Sequence, residues 1–405
     1  MTKPRIDVLS VASFAHGQPH DQFRWLRAND PVYWHDESDG RGFWAVTRHD
    51  DVCTVSRDPK TYSSYAGGIA VEDMDPNGLA ASRNMMLFMD PPQHTRYRAL
   101  VSAQFIPRSA KAMKGRIEEL ARKIVDRVID RGECDLVSQI AGELPSYVIA
   151  ELMGIPLEDG RLLYEWTEKM HSSSEAVPQT EKTAASMQML NYALGIADEK
   201  RKQPGDDLAT RLLNSEIDGD RLTPEEYTFF FLLLINAGGD TTRNLLAGGM
   251  LALFENPDQR RKLQGDLDRL LPLAVEEMLR YVSPVVYMRR TATCDTGLRG
   301  KKIAAGDKVV MYYGSANRDE AVFAQPDRFD VARDPNEHVA FGGGGTHFCI
   351  GAHIARIEIQ VMLREILTRL PDIEAAGAAE WLPSNFISGP RHLPVRFSAR
   401  AAAHA

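Results

Sequence analysis

A single cysteine, Cys349, ends the run FGGGGTHFC, and the helix-like stretch IGAHIARIEI begins directly behind it. Three kinds of chemistry suit such a stretch: a phosphate cradle, a structural turn or a metal ligand. The first fails on spacing. No G-x-x-x-x-G-K-[ST] is present, and His347 or Phe348 falls where the last glycine of G-x-G-x-x-G should stand. Zinc would draw on Cys349, His347 and His353, too few ligands for a closed tetrahedral site. A lone thiolate at a helix N-terminus is favoured by the dipole and the free amides, which lowers its pKa. Glycine-rich backbone would let a flat group lie against the loop. One thiolate with an open face opposite suits an axial haem ligand. A structural turn stays open on the same residues.

A second group sits inside an apolar helix. Thr223-Pro224-Glu225-Glu226 is a capping-box start with proline in the first turn, and the apolar pattern runs to about Phe254. That is roughly 30 residues, or about 45 Å of helix. Its middle, Ala237-Gly238-Gly239-Asp240-Thr241-Thr242, breaks the pattern, and each glycine costs about 1 kcal/mol relative to alanine. Either another element approaches closely there, with Asp240 paired to a nearby arginine, or the helix widens locally beside a small ligand. In the second case an acid and a hydroxyl stand ready to move protons.

The elements that must position these groups are mostly helices. PVYWHDESDGRGFWAV predicts a hairpin around Asp39-Gly40. From about 90 to 285 the pattern is helical: Ile117, Leu120, Ala121, Ile124, Val125 and Val128 recur at helical spacing, with Gly132 as a C-cap. Val148, Ile149, Leu152 and Met153 end another helix before Gly154. Short strands follow Ser283-Pro284, around VVYMRRTAT and KVVMYYG. Ile359, Met362, Leu363, Ile366, Leu367 and Leu370 form one helical stripe, and LPVRFSA reads as a last strand. The fold class is mainly α with a smaller β part (α+β). One domain is expected over 1–405: a β-containing part to about 90, a helical part to about 285 and a mixed part over 286–405.

Composition narrows the function classes. The chain has 405 residues, 43% hydrophobic and 26% charged, with a net charge of −8. Nucleic acid is therefore not an expected partner. The longest apolar run, Phe229 to Ile235, is too short to span a bilayer. MTKPRIDVLSVASF lacks a signal-peptide hydrophobic region, which places the protein in the cytoplasm without a membrane anchor. The cysteines (Cys53, Cys134, Cys294 and Cys349) show no C-x-x-C spacing, so neither a disulfide framework nor a Cys-only zinc site is expected. The first three are read as small buried hydrophobes.

Taken together, these stretches resemble the cytochrome P450 family of haem-thiolate monooxygenases. Ala237–Thr241 is similar to the oxygen-groove motif of its long central helix, and Glu277-Met278-Leu279-Arg280 to the E-x-x-R helix. Pro326-Asp327-Arg328-Phe329 looks like the P-x-R-F segment, whose arginine, here Arg328, would join the Glu277–Arg280 core. Gly345, His347, Cys349 and Gly351 match the haem loop. His94 and Arg98 (H-x-x-x-R), Arg290 and His347 match the propionate contacts, and propionates are carboxylates that need charged partners when buried. The family usually has phenylalanine seven places before the cysteine. Gly342 stands there and Phe341 lies eight before, which leaves the packing of Phe341 to be found. YMRRTAT, GSANRDE and FGGGGTHFCIGA look most like members that hydroxylate methyl-branched lipids, sterol side chains and isoprenoids.

The resemblance implies a helix-rich triangular prism, with haem b between the central helix and the Cys349 helix. Cys349 would bind the iron, Ala237 and Gly351 would border the cofactor, and Asp240 and Thr241 would deliver protons to O2. The substrate is expected to be apolar (a branched lipid, fatty acid, terpenoid or sterol), oxidised at a C–H bond. Its pocket would draw on Leu233, Asn236, Ala237, Val285, Val286, Met288, Phe386 and Ile387, under a variable loop from Ala66 to Met89. NAD(P)H would act indirectly, through ferredoxin reductase and a ferredoxin docked on Arg108, Lys111 and Lys114 of a monomer. Alternatives are a peroxide-dependent hydroxylase, against which the Asp240–Thr241 pair argues, and a non-catalytic haem sensor.

Overall fold

The hairpin forms where the aromatic and β-branched runs predict it, with Val32–His35 pairing antiparallel to Phe43–Val46. The computed structural model describes residues 5–38, 40–171, 177–217 and 219–399, so Asp39 at the expected turn lies outside the described residues. Phe43–Val46 pairs parallel with Lys308–Tyr312, which pairs antiparallel with Tyr287–Ala292. Tyr62–Ser63 closes this five-stranded sheet. The last strand, Pro394–Arg396, joins Glu374–Ala375 and Glu133–Asp135 in a separate small sheet.

Helices surround one long element, Pro224–Glu255, of 32 residues. Its capping box is complete: Thr223 Oγ1 accepts from the Glu226 amide at 3.1 Å, and the Glu226 carboxylate accepts from the Thr223 amide at 2.8 Å. Helices Glu143–Met153, Leu157–His171, Gln179–Lys202 and Leu267–Val282 pack against it, as does Ala352–Arg369, which also lies along Pro107–Asp126. The predicted stripe from Ile359 to Leu370 is buried throughout. The helix carrying Ile117 ends at Asp126, earlier than expected. Turns carry the chain on to Gly132, whose φ of +76° precedes the strand at Glu133.

Two glycine pairs in the central helix serve different ends. A Cβ on Gly248 or Gly249 would fall 2.8 Å from Val282 or 2.6 Å from Met278 Sδ, so these glycines let the Leu267–Val282 helix approach. At Gly239 an added Cβ would meet open space, and at Gly238 only ordinary contact with Ile149 at 3.6 Å. The first pair is for packing; the second borders a void. Among the described residues no helix is long and apolar enough to cross a membrane. Of the three cysteines expected to be buried, only Cys53 is; Cys134 is half-buried and Cys294 is exposed on the turn after Tyr287–Ala292.

Candidate active site

The central helix opens at one point. Leu233, Leu234 and Ile235 are buried, as are Asp240 and Thr242, yet Ala237 between them is exposed and Asn236, Gly238 and Thr241 are half-exposed. The backbone stays α-helical throughout, so the expected local widening is absent. Thr241 Oγ1 donates instead to the Ala237 carbonyl at 3.2 Å, a back-bond that fits a regular turn. Asn236 Oδ1 accepts from Thr167 Oγ1 at 3.1 Å.

Asp240 does have its arginine, on its own helix. Arg243 Nη2 lies 3.3 Å from Asp240 Oδ1, and both residues are 2% exposed. Arg243 also donates to the Tyr164 hydroxyl and lies 3.6 Å from Glu168, both on helix Leu157–His171. Burial works against the guanidinium's charge; Asp240, Tyr164 and Glu168 outweigh it and raise its pKa. Arg243, Tyr164 and Glu168 were missed from sequence, although the i,i+3 spacing of Asp240 and Arg243 was a usable signal.

Cys349 lies deep among protein atoms but keeps an exposed face. Its amide donates to the Phe341 carbonyl at 2.9 Å. Burial raises the thiol's pKa and outweighs the Gly351 and Ala352 amides, Arg98 and Arg356, which act the other way. The helix-terminus effect expected to lower it is present but smaller. A bound cation would reverse the balance. Gly351 is the glycine beside the sulfur: a Cβ there would lie 4.0 Å from Sγ.

The four-glycine run presses against helix His49–Arg57. A Cβ on Gly343 would fall 2.9 Å from Cys53 Cα, and one on Gly345, at φ +80°, 2.5 Å from the Ser56 carbonyl. Ser56 Oγ donates to the Gly344 carbonyl at 2.8 Å and Arg57 Nε to that of Gly343 at 3.0 Å. Close approach is what the glycines provide, and the observed neighbour is this helix. Phe341 packs under Arg356, whose guanidinium carbon is 4.6 Å from the ring centroid, and between the rings of His338 and Phe348. Arg356 in turn pairs with Glu276 at 2.6 Å.

His94, Arg98, Arg290 and His347 converge. The two imidazole rings are 4.2 Å apart. Burial, then Arg98, pushes His94 down to about 4, and burial, then Arg290 and His94, pushes His347 well below its usual range. His94 Nδ1 is buried without a hydrogen-bond partner. Arg290 is buried and donates to the Arg289 carbonyl at 2.8 Å; Arg98 donates to the Thr346 carbonyl at 3.2 Å. No ion pair to either arginine is found among the described residues. The carboxylate that acts on Arg290, Asp90, is bound by Ser63 and by the Ser64 amide at 2.9 Å. Ser64 Oγ lies 3.3 Å from His347 Nε2 and was missed from sequence.

The buried ion-paired core differs from the motif. Arg280 grips Glu277 with two bonds of 2.8 Å, both residues fully buried. The second arginine on Glu277 is Arg333, at 3.0 Å, not Arg328. Arg328 is exposed and its side chain reaches only Gln325; its carbonyl accepts from Arg280 and Arg333.

The pocket set divides. Leu233 and Ala237 are one turn apart, at the opening. Val285 bridges to Ile387 beside half-exposed Met288. Val286 is fully buried and Phe386 packs on Tyr287 at 5.2 Å, so both belong to the cluster of Tyr287, Val310 and Tyr312 rather than to the pocket.

The chain belongs to the cytochrome P450 family, whose profile, described as Cytochrome P450, matches residues 143–371. It is an oxygenase that uses haem and O2, with NAD(P)H electrons supplied through redox partners. It is similar to the methyl-branched lipid omega-hydroxylase of Mycobacterium tuberculosis (strain ATCC 25618 / H37Rv), with 43% identity over 366 residues, 89% of this chain and 85% of that protein. It is 37% identical over 397 residues to the steroid C26-monooxygenase of Rhodococcus jostii (strain RHA1), covering 95% of this chain and 83% of that one. Among solved structures, Mycobacterium marinum cytochrome P450 CYP268A2 in complex with pseudoionone matches with a TM-score of 0.92 and 39% identity, over 98% of this chain and 99% of that one.

The residues fit haem. Four basic side chains, one with an orphaned buried nitrogen, converge without a carboxylate partner of their own, and a thiol keeps an open face near Arg98. That donor set matches two carboxylates and one soft-ligated iron.

Proposed function

We propose that this P450 hydroxylates an unactivated C–H bond of a long apolar substrate, a methyl-branched lipid, isoprenoid or sterol side chain, with a ferredoxin as electron donor. The observation that carries the reading is the presence together of a lone open-faced thiol, Cys349, and an opening at Ala237 and Thr241 in the middle of a long buried helix. The names of the relatives support the substrate class. In this reading Cys349 ligates the iron, and His94, Arg98, Arg290 and His347 hold the propionates. Bound haem supplies the activation of O2.

The chain's own residues do the rest. Thr241 donates its proton to the Ala237 carbonyl, which leaves its oxygen lone pairs to accept from a water in the opening. Asp240 is the acid next to Thr241; Arg243 pairs with it at 3.3 Å, and Glu168, 38% exposed at its side chain, connects the cluster to solvent. Leu233, Val285, Met288 and Ile387 line an apolar wall that excludes water and orients the substrate. Arg108, Lys111 and Lys114 are exposed on helix Pro107–Asp126, which lies along the helix behind Cys349, and suit an acidic ferredoxin.

The test is turnover by the holoprotein with ferredoxin, ferredoxin reductase and NADH on a methyl-branched fatty acid, an isoprenoid and a sterol. A low-to-high-spin shift and a product heavier by one oxygen are expected from at least one class. No shift and no product from all three would overturn the substrate class. Product from peroxide but not from O2 and NADH would favour the peroxide-dependent alternative.

A further inference from the structure

Residues 66–89 form a lobe that leaves the site and returns to it. Ser63 and Ser64 at its start and Asp90 at its end are bonded across the neck, beside His347. Away from the neck, the lobe is fastened to the outer face of the sheet strand Tyr287–Ala292. The Arg289 amide donates to the Ile69 carbonyl at 2.8 Å, and Arg289 Nη1 to the carbonyls of Ala70 and Val71, both at 3.2 Å. Val71 is gripped twice more, by the Tyr287 hydroxyl at its amide and by Lys308 Nζ at its carbonyl, at 3.3 and 2.9 Å. Gly67 has no room for a Cβ, which would lie 2.4 Å from Arg289 Nη2.

Charge closes the fastening. Asp73 receives Arg289 Nη1 on one oxygen and Lys308 Nζ on the other, each at 2.8 Å. Glu37 holds Lys308 from the far side at 2.9 Å. Two buried cations are thus balanced by two carboxylates. Arg289 and Lys308 are buried and the Glu37 side chain is 9% exposed, but the Asp73 side chain is 55% exposed. Water can take over the Asp73 carboxylate when it leaves, whereas the other three have no such recourse. Asp73 is therefore the member of the four that lets go first. The alternation of the strand puts Arg289 and Tyr287 on the lobe side, and Met288 and Arg290 on the other.

We propose that Asp73 is the latch of a flap formed by residues 66–89, and that its release from Arg289 and Lys308 opens the way by which a chain-shaped apolar substrate enters. Arg289 and Lys308 are positioning residues: they set where the flap rests and touch no substrate. The substrate part of this inference rests on the proposed function; the latch itself does not.

Hydrogen exchange of the holoprotein tests the latch without any substrate. In Asp73→Asn, amides 66–74 should lose protection by about tenfold, the scale of one charge-assisted bond, while the central helix is unchanged. Glu37→Gln, which leaves Asp73 on both cations, should move the same amides far less. Stopped-flow binding of a ligand that shifts the haem spin state should then show association and dissociation both faster in Asp73→Asn. Unchanged exchange over 66–74, or loss spread evenly over the whole chain, overturns the latch. Altered exchange with unchanged ligand rates overturns its role in entry. Failure of every ligand to bind wild type counts against the substrate class and leaves the exchange result standing.

Discussion

Replacing Arg333 should destabilise the protein, whereas replacing Arg328, the arginine of the motif, should not. Glu277 is fully buried and accepts from Arg280 twice, from Arg333 at 3.0 Å, from Asn336 at 3.1 Å and from the Asp330 amide at 2.9 Å. Arg333→Ala leaves the Arg280 pair intact, so the carboxylate keeps a counter-charge. What is lost is one charge-assisted bond to a buried carboxylate, worth about 1.5–3 kcal/mol. Bonds to the carbonyls of Ala324, Gln325 and Arg328 go with it, at the edge of the fold where water replaces them. A loss of about 2–4 kcal/mol follows. Arg328→Ala removes an exposed side chain with one long bond to Gln325, and its carbonyl still serves Arg280 and Arg333; a change within about 0.5 kcal/mol is expected. Denaturant unfolding, followed by far-UV circular dichroism and by Soret absorbance on the same samples, measures both. Arg333→Lys should fall between them. Equal losses at 328 and 333, or a larger loss at 328, would refute the assignment of Arg333 to the buried core.

Two further outcomes follow from the glycine run and from a buried acid. Gly345→Ala sets a Cβ 2.5 Å from the Ser56 carbonyl at a φ of +80°, so the loop must leave helix His49–Arg57; haem content per chain should fall, while Gly115→Ala, with nothing within 4 Å, should purify with full haem content. Glu358 is buried with Oε2 unpartnered, and burial alone raises its pKa to about 8. The folded protein then keeps a proton that the unfolded chain releases. The stability from this group is present below about pH 4.5 and is lost as pH rises through about 8, by at most about 1.4 kcal/mol per pH unit. Glu358→Gln should flatten that fall in denaturant titrations from pH 5 to 9, and an unchanged slope would discard the argument.

The readable part of this site consists of residues close together in the chain. Cys349 with Gly351 and His347, Asp240 with Thr241, and His94 with Arg98 each sit within a turn or two, so side-chain type and spacing identify them. The cap at Thr223 was legible for the same reason. Arg333 was not, because the bond it makes is to Glu277, 56 positions away, and no local pattern marks it. The glycines were read as room for a cofactor. Their observed partner is Ser56, some 288 positions earlier, and only the fold brings the two together.

The place of Val286 was not legible in the sequence, and the strand that follows it shows what the fold adds. Val285, Val286 and Met288 read as one wall from sequence, but Val285 and Val286 precede the strand Tyr287–Ala292, and only the fold shows Val286 buried with Tyr287, Val310 and Tyr312. Within the strand, a period of two sorts Tyr287–Ala292 into two faces with two tasks. Met288 and Arg290 share a face with the pocket and the basic cluster; Tyr287 and Arg289 share the other with Val71 and Asp73. Arg289 and Arg290 are adjacent buried cations that must find their anions on opposite sides of the sheet. Arg289 has Asp73. Arg290 has none among the described residues, and that asymmetry is the strongest physical reason to expect a bound carboxylate on its side.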